Sequence, residues 1–141
     1  MQTGSKRRVI AAAIHARKHA VAPYSGFQVG AAILTKKGQI FSGANVESAS
    51  YGLTCCAERV ALFKALTEGE RDFSAIGVVA DAPNGPMPCG ACRQLLAEYA
   101  SKALFWTADA RKPDRVRQFT IAGLLPKAFV LEPKTEIRLR K

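Results

Sequence analysis

Two short stretches hold the residue types that could carry chemistry. The first is TCCAERVAL, Thr54 to Leu62, with adjacent thiols at Cys55 and Cys56, then Glu58 and Arg59. The second is PCGACRQ, Pro88 to Gln94, with Cys89, Cys92 and Arg93. The spacing of Cys89 and Cys92 places both thiols on one side of a helix's first turn, which suits a redox pair or two metal ligands. A third thiol at another helix start favours metal, because two positive helix ends converging on one point stabilise thiolates. Three thiolates with one open position describe a catalytic zinc site; four would describe a closed structural one. Adjacent side chains leave a helix about 100° apart, which argues that Cys55 and Cys56 do not serve one site together. Glu58 follows the doublet closely enough to move a proton at the open position, or it is an acid that satisfies the helix dipole; position alone leaves both readings open. Arg59 and Arg93 each follow a cysteine segment. A guanidinium donating to a ligand sulfur would offset the surplus negative charge of three thiolates and a divalent ion.

The rest of the chain must position these groups. Its 141 residues suffice for one domain with a real core, and 48% hydrophobic content fits a globular protein. No apolar run approaches the roughly 20 residues of a membrane helix. The basic start, MQTGSKRRVIAAAIHARKHA, is interrupted by Arg17, Lys18 and His19, and reads as an amphipathic helix and not a signal peptide. That favours the cytoplasm, where thiols stay reduced. His15 and His19, one turn apart among basic residues, read as surface residues. The net charge of +10 is concentrated at the two ends, and the stretch holding the cysteines is nearly neutral. A nucleic-acid site built around the cysteines would need its cations there, so the charge pattern argues against nucleic acid.

The predicted elements run helix, hairpin, helix, strand, helix, strand. Residues 5–20 form the first helix. Phe27 to Thr35 and IFSGANVE, residues 40–47, pair through the turn KKGQ. A helix spans about Cys55 to Glu68 and stops at Gly69. Ser74 to Asp81 is a buried strand, CGACRQLLAEYA a second helix over the cysteines, and ALFWTA another strand. RQFTIAGLLP holds a short last strand. Strand–helix–strand units imply a parallel portion, and the hairpin an antiparallel one, giving an α/β fold with a mixed sheet.

These motifs resemble the cytidine deaminase family. CAE at Cys56 to Glu58, followed by PCGAC, matches the zinc deaminase signature, in which a non-ligand Glu stands beside the metal. PYSGFQVGAAIL, GANVESASYGLTCCAER, PCGACRQLLAEY and LLPKAF are similar, in order, to the small homotetrameric nucleoside deaminases, from about Ala22 to Phe129. The resemblance implies a three-layer α-β-α fold around a five-stranded mixed sheet, one domain over 1–129, and a basic C-terminal extension over 130–141. It implies Zn²⁺ on Cys56, Cys89 and Cys92, with Cys55 as apolar filler, and Glu58 as the proton shuttle. Asn45 and Glu47 would bind the ribose hydroxyls, Phe27 would pack on the base, and the Ala57 N–H would hold the base carbonyl. Tyr51 and Phe129 would line the pocket, with active sites completed across subunits of a homotetramer.

The implied reaction is hydrolytic deamination of cytidine and 2'-deoxycytidine to uridine and 2'-deoxyuridine, with release of ammonia, as in pyrimidine salvage. Rival readings are a deaminase of a modified cytosine nucleoside such as blasticidin S, and a non-catalytic zinc module binding RNA or protein through the basic ends. SASYGLT resembles the cytidine enzymes more than the blasticidin ones.

Overall fold

The structure is a computed structural model and describes residues 2–132, with side chains from Gly4 onward. Helix α1 spans Gln2–Arg17, followed by strands β1, Val29–Thr35, and β2, Ile40–Ala44. A 3-10 turn at Tyr51–Leu53 precedes α2, Ala57–Thr67. Then come β3, Phe73–Ala80, α3, Gly90–Tyr99, β4, Leu104–Asp109, β5, Arg117–Thr120, and the short α4, Ile121–Leu124. The sheet order is β2-β1-β3-β4-β5. Only β3 and β4 pair in parallel; the other three pairings are antiparallel. The five-stranded mixed sheet with helices on both faces is the architecture the resemblance implies.

Strands β1, β3 and β4 are buried along nearly their whole length, because helices cover both faces of the sheet. On one face Val9, Ile10 and Ala13 of α1 pack on Ala32, Leu34, Val79 and Trp106. On the other, Ala61, Leu62 and Ala65 of α2 and Leu96 of α3 pack on Ile33, Ile76, Val78 and Phe105. Two glycines permit close approach. A Cβ on Gly30 would collide with the Ala13 carbonyl, and one on Gly43 would stand 2.7 Å from the Ala61 nitrogen. The helix carrying the first thiol segment is thereby seated directly on β2.

Several element boundaries differ from expectation: helix α1 runs Gln2–Arg17 and not 5–20, and three further shifts bear on the site. Strand β1 begins at Val29 and not at Phe27, because the Phe27 and Gln28 carbonyls accept from side chains, Asn45 Nδ2 at 2.9 Å and Arg17 Nε at 3.0 Å. Strand β2 ends at Ala44; beyond it Val46 forms isolated bridges to both Val21 and Cys55. Helix α2 begins at Ala57, after both cysteines, since the Cys55 N–H and C=O are taken by Val46. Val130 to Glu132 are exposed and irregular, and residues 133–141 of the expected basic extension lie outside the described residues. Among the described residues no helix is long and apolar enough to cross a membrane.

Candidate metal centre and active site

Cys56 and Cys89 are the N-cap residues of α2 and α3, both with extended backbone, and Cys92 lies in the first turn of α3. Two helix N-termini therefore meet at the thiols, with their unpaired N–H groups and partial positive charge. The Sγ atoms of Cys56 and Cys89 are 3.8 Å apart, those of Cys89 and Cys92 3.5 Å, and all three lie within 4.8 Å of one another. Thiolates about 2.3 Å from a shared tetrahedral zinc would stand roughly 3.8 Å apart, so the triad is already spaced for that ion. Cys55 is outside it. The backbone bridge to Val46 holds Cys55 in extended conformation, where neighbouring side chains point to opposite sides. The doublet is thus separated by strand alternation and not by the 100° helical step. Burial pushes the Cys55 thiol up.

The charges at the centre are ordered. A hydrogen bond from the Cys92 thiol, followed by one from Arg59, pulls the Cys56 thiol down to about 5, against the cost of burial. Cys92 is held up by the same hydrogen bond and by its burial. The two thiols are thus displaced in opposite directions, the Cys56 anion being favoured and the Cys92 anion disfavoured, and zinc loading requires all three ligands as thiolates. Glu58, 5% exposed, has its carboxyl raised to about 7, first by burial and then by the Cys56 thiolate. A carboxyl poised near neutrality can both take and give a proton.

Arg59 Nη2 reaches Cys56 Sγ and the Thr54 carbonyl, each at 3.3 Å. Its Nε is the one buried side-chain nitrogen or oxygen without a hydrogen-bond partner among the described residues. Arg93 departs from expectation. Its guanidinium donates to the carbonyls of Pro88 at 2.9 Å and Leu124 at 2.8 Å, and not to a sulfur. It ties the start of α3 to α4, bracing the thiol segment from outside.

Of the expected substrate-facing residues, Glu47 and Tyr51 line one cavity together with Thr54, two residues before Cys56. Asn45 is buried, its Oδ1 accepting from the Val29 N–H and its Nδ2 donating to the Phe27 carbonyl, both at 2.9 Å. One amide hydrogen of Asn45 remains for a ligand. Glu47 accepts from the N–H groups of Tyr24 at 3.0 Å and Ser25 at 3.1 Å and from the Ser25 hydroxyl, which hold its carboxyl below the usual range. Both side chains thereby anchor the loop that carries Phe27. A cavity of about 440 Å³ opens between Tyr24, Ser25, Glu47, Ser48, Tyr51 and Thr54. The Ala57 N–H belongs to the first turn of α2, whose donors have no intrahelical acceptor. Tyr51 and Phe129 are 83% and 69% exposed, and Phe129 is attached through its carbonyl to Gln94 Nε2 at 3.0 Å. Phe27 is exposed as well.

Sequence reasoning missed Ser25 and Thr54. Ser25 reads as a turn residue in APYSG, yet its hydroxyl also accepts from the Phe27 N–H at 2.9 Å. Thr54 Oγ1 accepts from the Ser48 N–H at 3.0 Å while its carbonyl holds Arg59. Hydroxyls in a loop carry no periodic signal that would single them out.

Comparison with known proteins agrees with this geometry. Residues 3–108 match the family model described as the cytidine and deoxycytidylate deaminase zinc-binding region. A cytidine deaminase from Halalkalibacterium halodurans is 50% identical over 127 residues, covering 90% of this chain and 96% of that protein. The crystal structure of a cytidine deaminase from Burkholderia pseudomallei superposes with a TM-score of 0.83 at 46% identity, over 86% of this chain and 97% of that one. A blasticidin-S deaminase from Bacillus cereus is 38% identical, but covers only 51% of this chain.

Proposed function

The chain belongs to the cytidine and deoxycytidylate deaminase zinc-binding family, and on that premise we propose that it converts cytidine and 2'-deoxycytidine to uridine and 2'-deoxyuridine with release of ammonia. Cys56, Cys89 and Cys92 hold Zn²⁺, a fit supported by their mutual spacing and by the thiolate at Cys56. The ion supplies Lewis-acid activation of a water molecule. Glu58 accepts a proton from the water as the water's oxygen bonds to ring C4, and delivers it to ring N3. The proton of the new C4 hydroxyl then passes through Glu58 to the exocyclic amine, the C4–N bond breaks, and ammonia leaves as C4=O forms. The Ala57 N–H holds the base carbonyl, and Phe27 packs against the ring. The free amide hydrogen of Asn45 and the Glu47 carboxylate bind the ribose hydroxyls. Arg59 draws charge from the Cys56 sulfur and so keeps the ion acidic.

The observation that carries this reading is the triad of thiols beside a buried glutamate, with the fourth cysteine turned away. Four converging thiols would have favoured a structural zinc module. Residues 1–129 act as a single catalytic domain. The exposed Tyr51 and Phe129 suit active sites completed across a homotetramer, and the reaction suits nucleoside salvage in the cytoplasm. Loss of cytidine absorbance measures the activity, with deoxycytidine and blasticidin S alongside. Glu58→Gln should keep its zinc and lose a factor of at least about 10² in kcat. Cys55→Ala should keep one zinc per chain, and Cys56→Ala should lose it. Full activity in Glu58→Gln, or zinc loss in Cys55→Ala, would overturn the assignments.

A further inference from the structure

A second cavity, of about 420 Å³, lies beyond the C-terminal ends of the parallel strands β3 and β4. Its walls are the segment that follows β3, at Asn84, and the one that follows β4, from Asp109 to Arg117. Ligands in sheets with parallel strands commonly bind at such strand ends, and the volume falls in the range of small-molecule sites. Four cations line it: Arg111, Lys112, Arg115 and Arg117. The nearby acids are already committed. Arg111 Nε stands 2.7 Å from Asp81, and its Nη2 3.0 Å from Asp109, so one guanidinium bridges both carboxylates and the trio keeps one net negative charge against the three remaining cations. Asp114, on the same loop, does not line the cavity.

Lys112, Arg115 and Arg117 thus face the cavity without a contact ion pair, and Asp109, whose carboxyl Arg111 and then the nearby Lys112 hold low, is the one acid in its wall. Among the described residues, the Lys112 and Arg115 side chains make no hydrogen bond or ion pair. Arg117 is held in place by uncharged partners, its Nε donating to the Asn84 carbonyl at 3.0 Å and an Nη contacting Met87 Sδ at 3.4 Å. It keeps further N–H donors and its full charge. Two guanidinium forks and an ammonium around one cavity match adjacent phosphate groups, which accept bidentate hydrogen bonds and carry multiple negative charges. We infer that this cleft binds a phosphate-bearing small molecule through a diphosphate or longer phosphate chain, either free or as part of a nucleotide. The Asn84–Met87 segment that Arg117 grips runs on to Cys89, so the bound phosphates would rest against the strut of the thiol segment.

Calorimetric titration of the zinc-loaded protein at low salt tests this, with pyrophosphate, inorganic phosphate and adenosine triphosphate as probes. The purine nucleotide lacks the cytosine ring that the active site takes. Pyrophosphate and the triphosphate should each bind saturably, one per chain, and weaken as salt rises. Equal affinity would assign recognition to the phosphates alone; tighter binding of the triphosphate would add a base contact. Lys112→Ala/Arg115→Ala should weaken binding by at least about tenfold. Both residues are exposed, so this variant should melt with the wild type. Lys36→Ala/Lys37→Ala loses the same charge at the β1–β2 turn and should bind like the wild type. Equal weakening in both double variants, or no saturable binding at millimolar probe, would overturn the site.

Discussion

Glu58 and Cys56 stand one residue apart and are displaced in opposite directions, for reasons that belong to each side chain. Glu58 is buried beside a thiolate, which disfavours its anion; Cys56 receives hydrogen bonds from Cys92 and Arg59, which favour its own. The consequence for stability has a definite sign. In zinc-stripped protein the folded-state value of Glu58, about 7, exceeds its ordinary 4.5. The unfolded chain therefore releases its proton first, and Glu58 costs stability progressively as pH rises from about 4.5 to about 7. The full effect is on the order of 3 kcal/mol. Cys56 and Cys92 are displaced in opposite directions through their shared hydrogen bond, and both remain in the wild type and in Glu58→Gln alike. Urea unfolding of stripped wild type and Glu58→Gln at pH 5 and pH 8 isolates the glutamate. The variant should gain on the wild type by up to about 3 kcal/mol across that interval; a pH-independent difference would refute the burial effect.

At the scale of elements, the site depends on where α2 and α3 begin. Both helices start immediately after a cysteine, and each is tied down by a neighbour. Arg93 clamps the approach to α3 against α4, and Gly43 lets α2 rest on β2 without a side chain between them. A methyl group at Gly43 would collide with the Ala61 backbone nitrogen, which cannot rotate aside, and with the Val60 side chain. Gly43→Ala should therefore cost about 1–3 kcal/mol and lower kcat by shifting Cys56 and Glu58 together. Gly4→Ala is the contrast: nothing lies within 4 Å of its added carbon, and in a helix the change should be neutral or gain up to about 1 kcal/mol. Chemical denaturation of both variants checks the pair, and equal effects would show that the close approach is not what seats α2.

For the molecule as a whole, the exposed apolar groups call for a partner surface. Tyr51 and Leu53 on the 3-10 turn are 83% and 74% exposed, and Val130 and Leu131 extend the exposed apolar surface beyond Phe129. Tyr51 also lines the cavity beside Glu47, and exposed apolar side chains there are what the proposed subunit interface would need. Leu53→Asp would place a charge in that contact. Light scattering should then report a species smaller than the wild type's, with deamination reduced in parallel. A species of unchanged mass would remove this turn from the proposed interface.

The site's chemistry was legible in local spacing. Cys56-x-Glu58 and Cys89-x-x-Cys92 are short-range patterns, and a helix start converts such spacing directly into shared direction. Strands β1, β3 and β4 were legible because burial on two sheet faces writes continuous apolar runs, and β2 because the turn KKGQ announces a hairpin. Tertiary structure alone decided the rest. Cys55 is excluded by a bridge to Val46, nine residues earlier; Arg93 serves carbonyls and not sulfur because α4 happens to lie within its reach; Ser25 and Asn45 matter through partners on other loops. Each of these outcomes depends on groups distant in sequence and brought together by packing, and no local pattern encodes that distance.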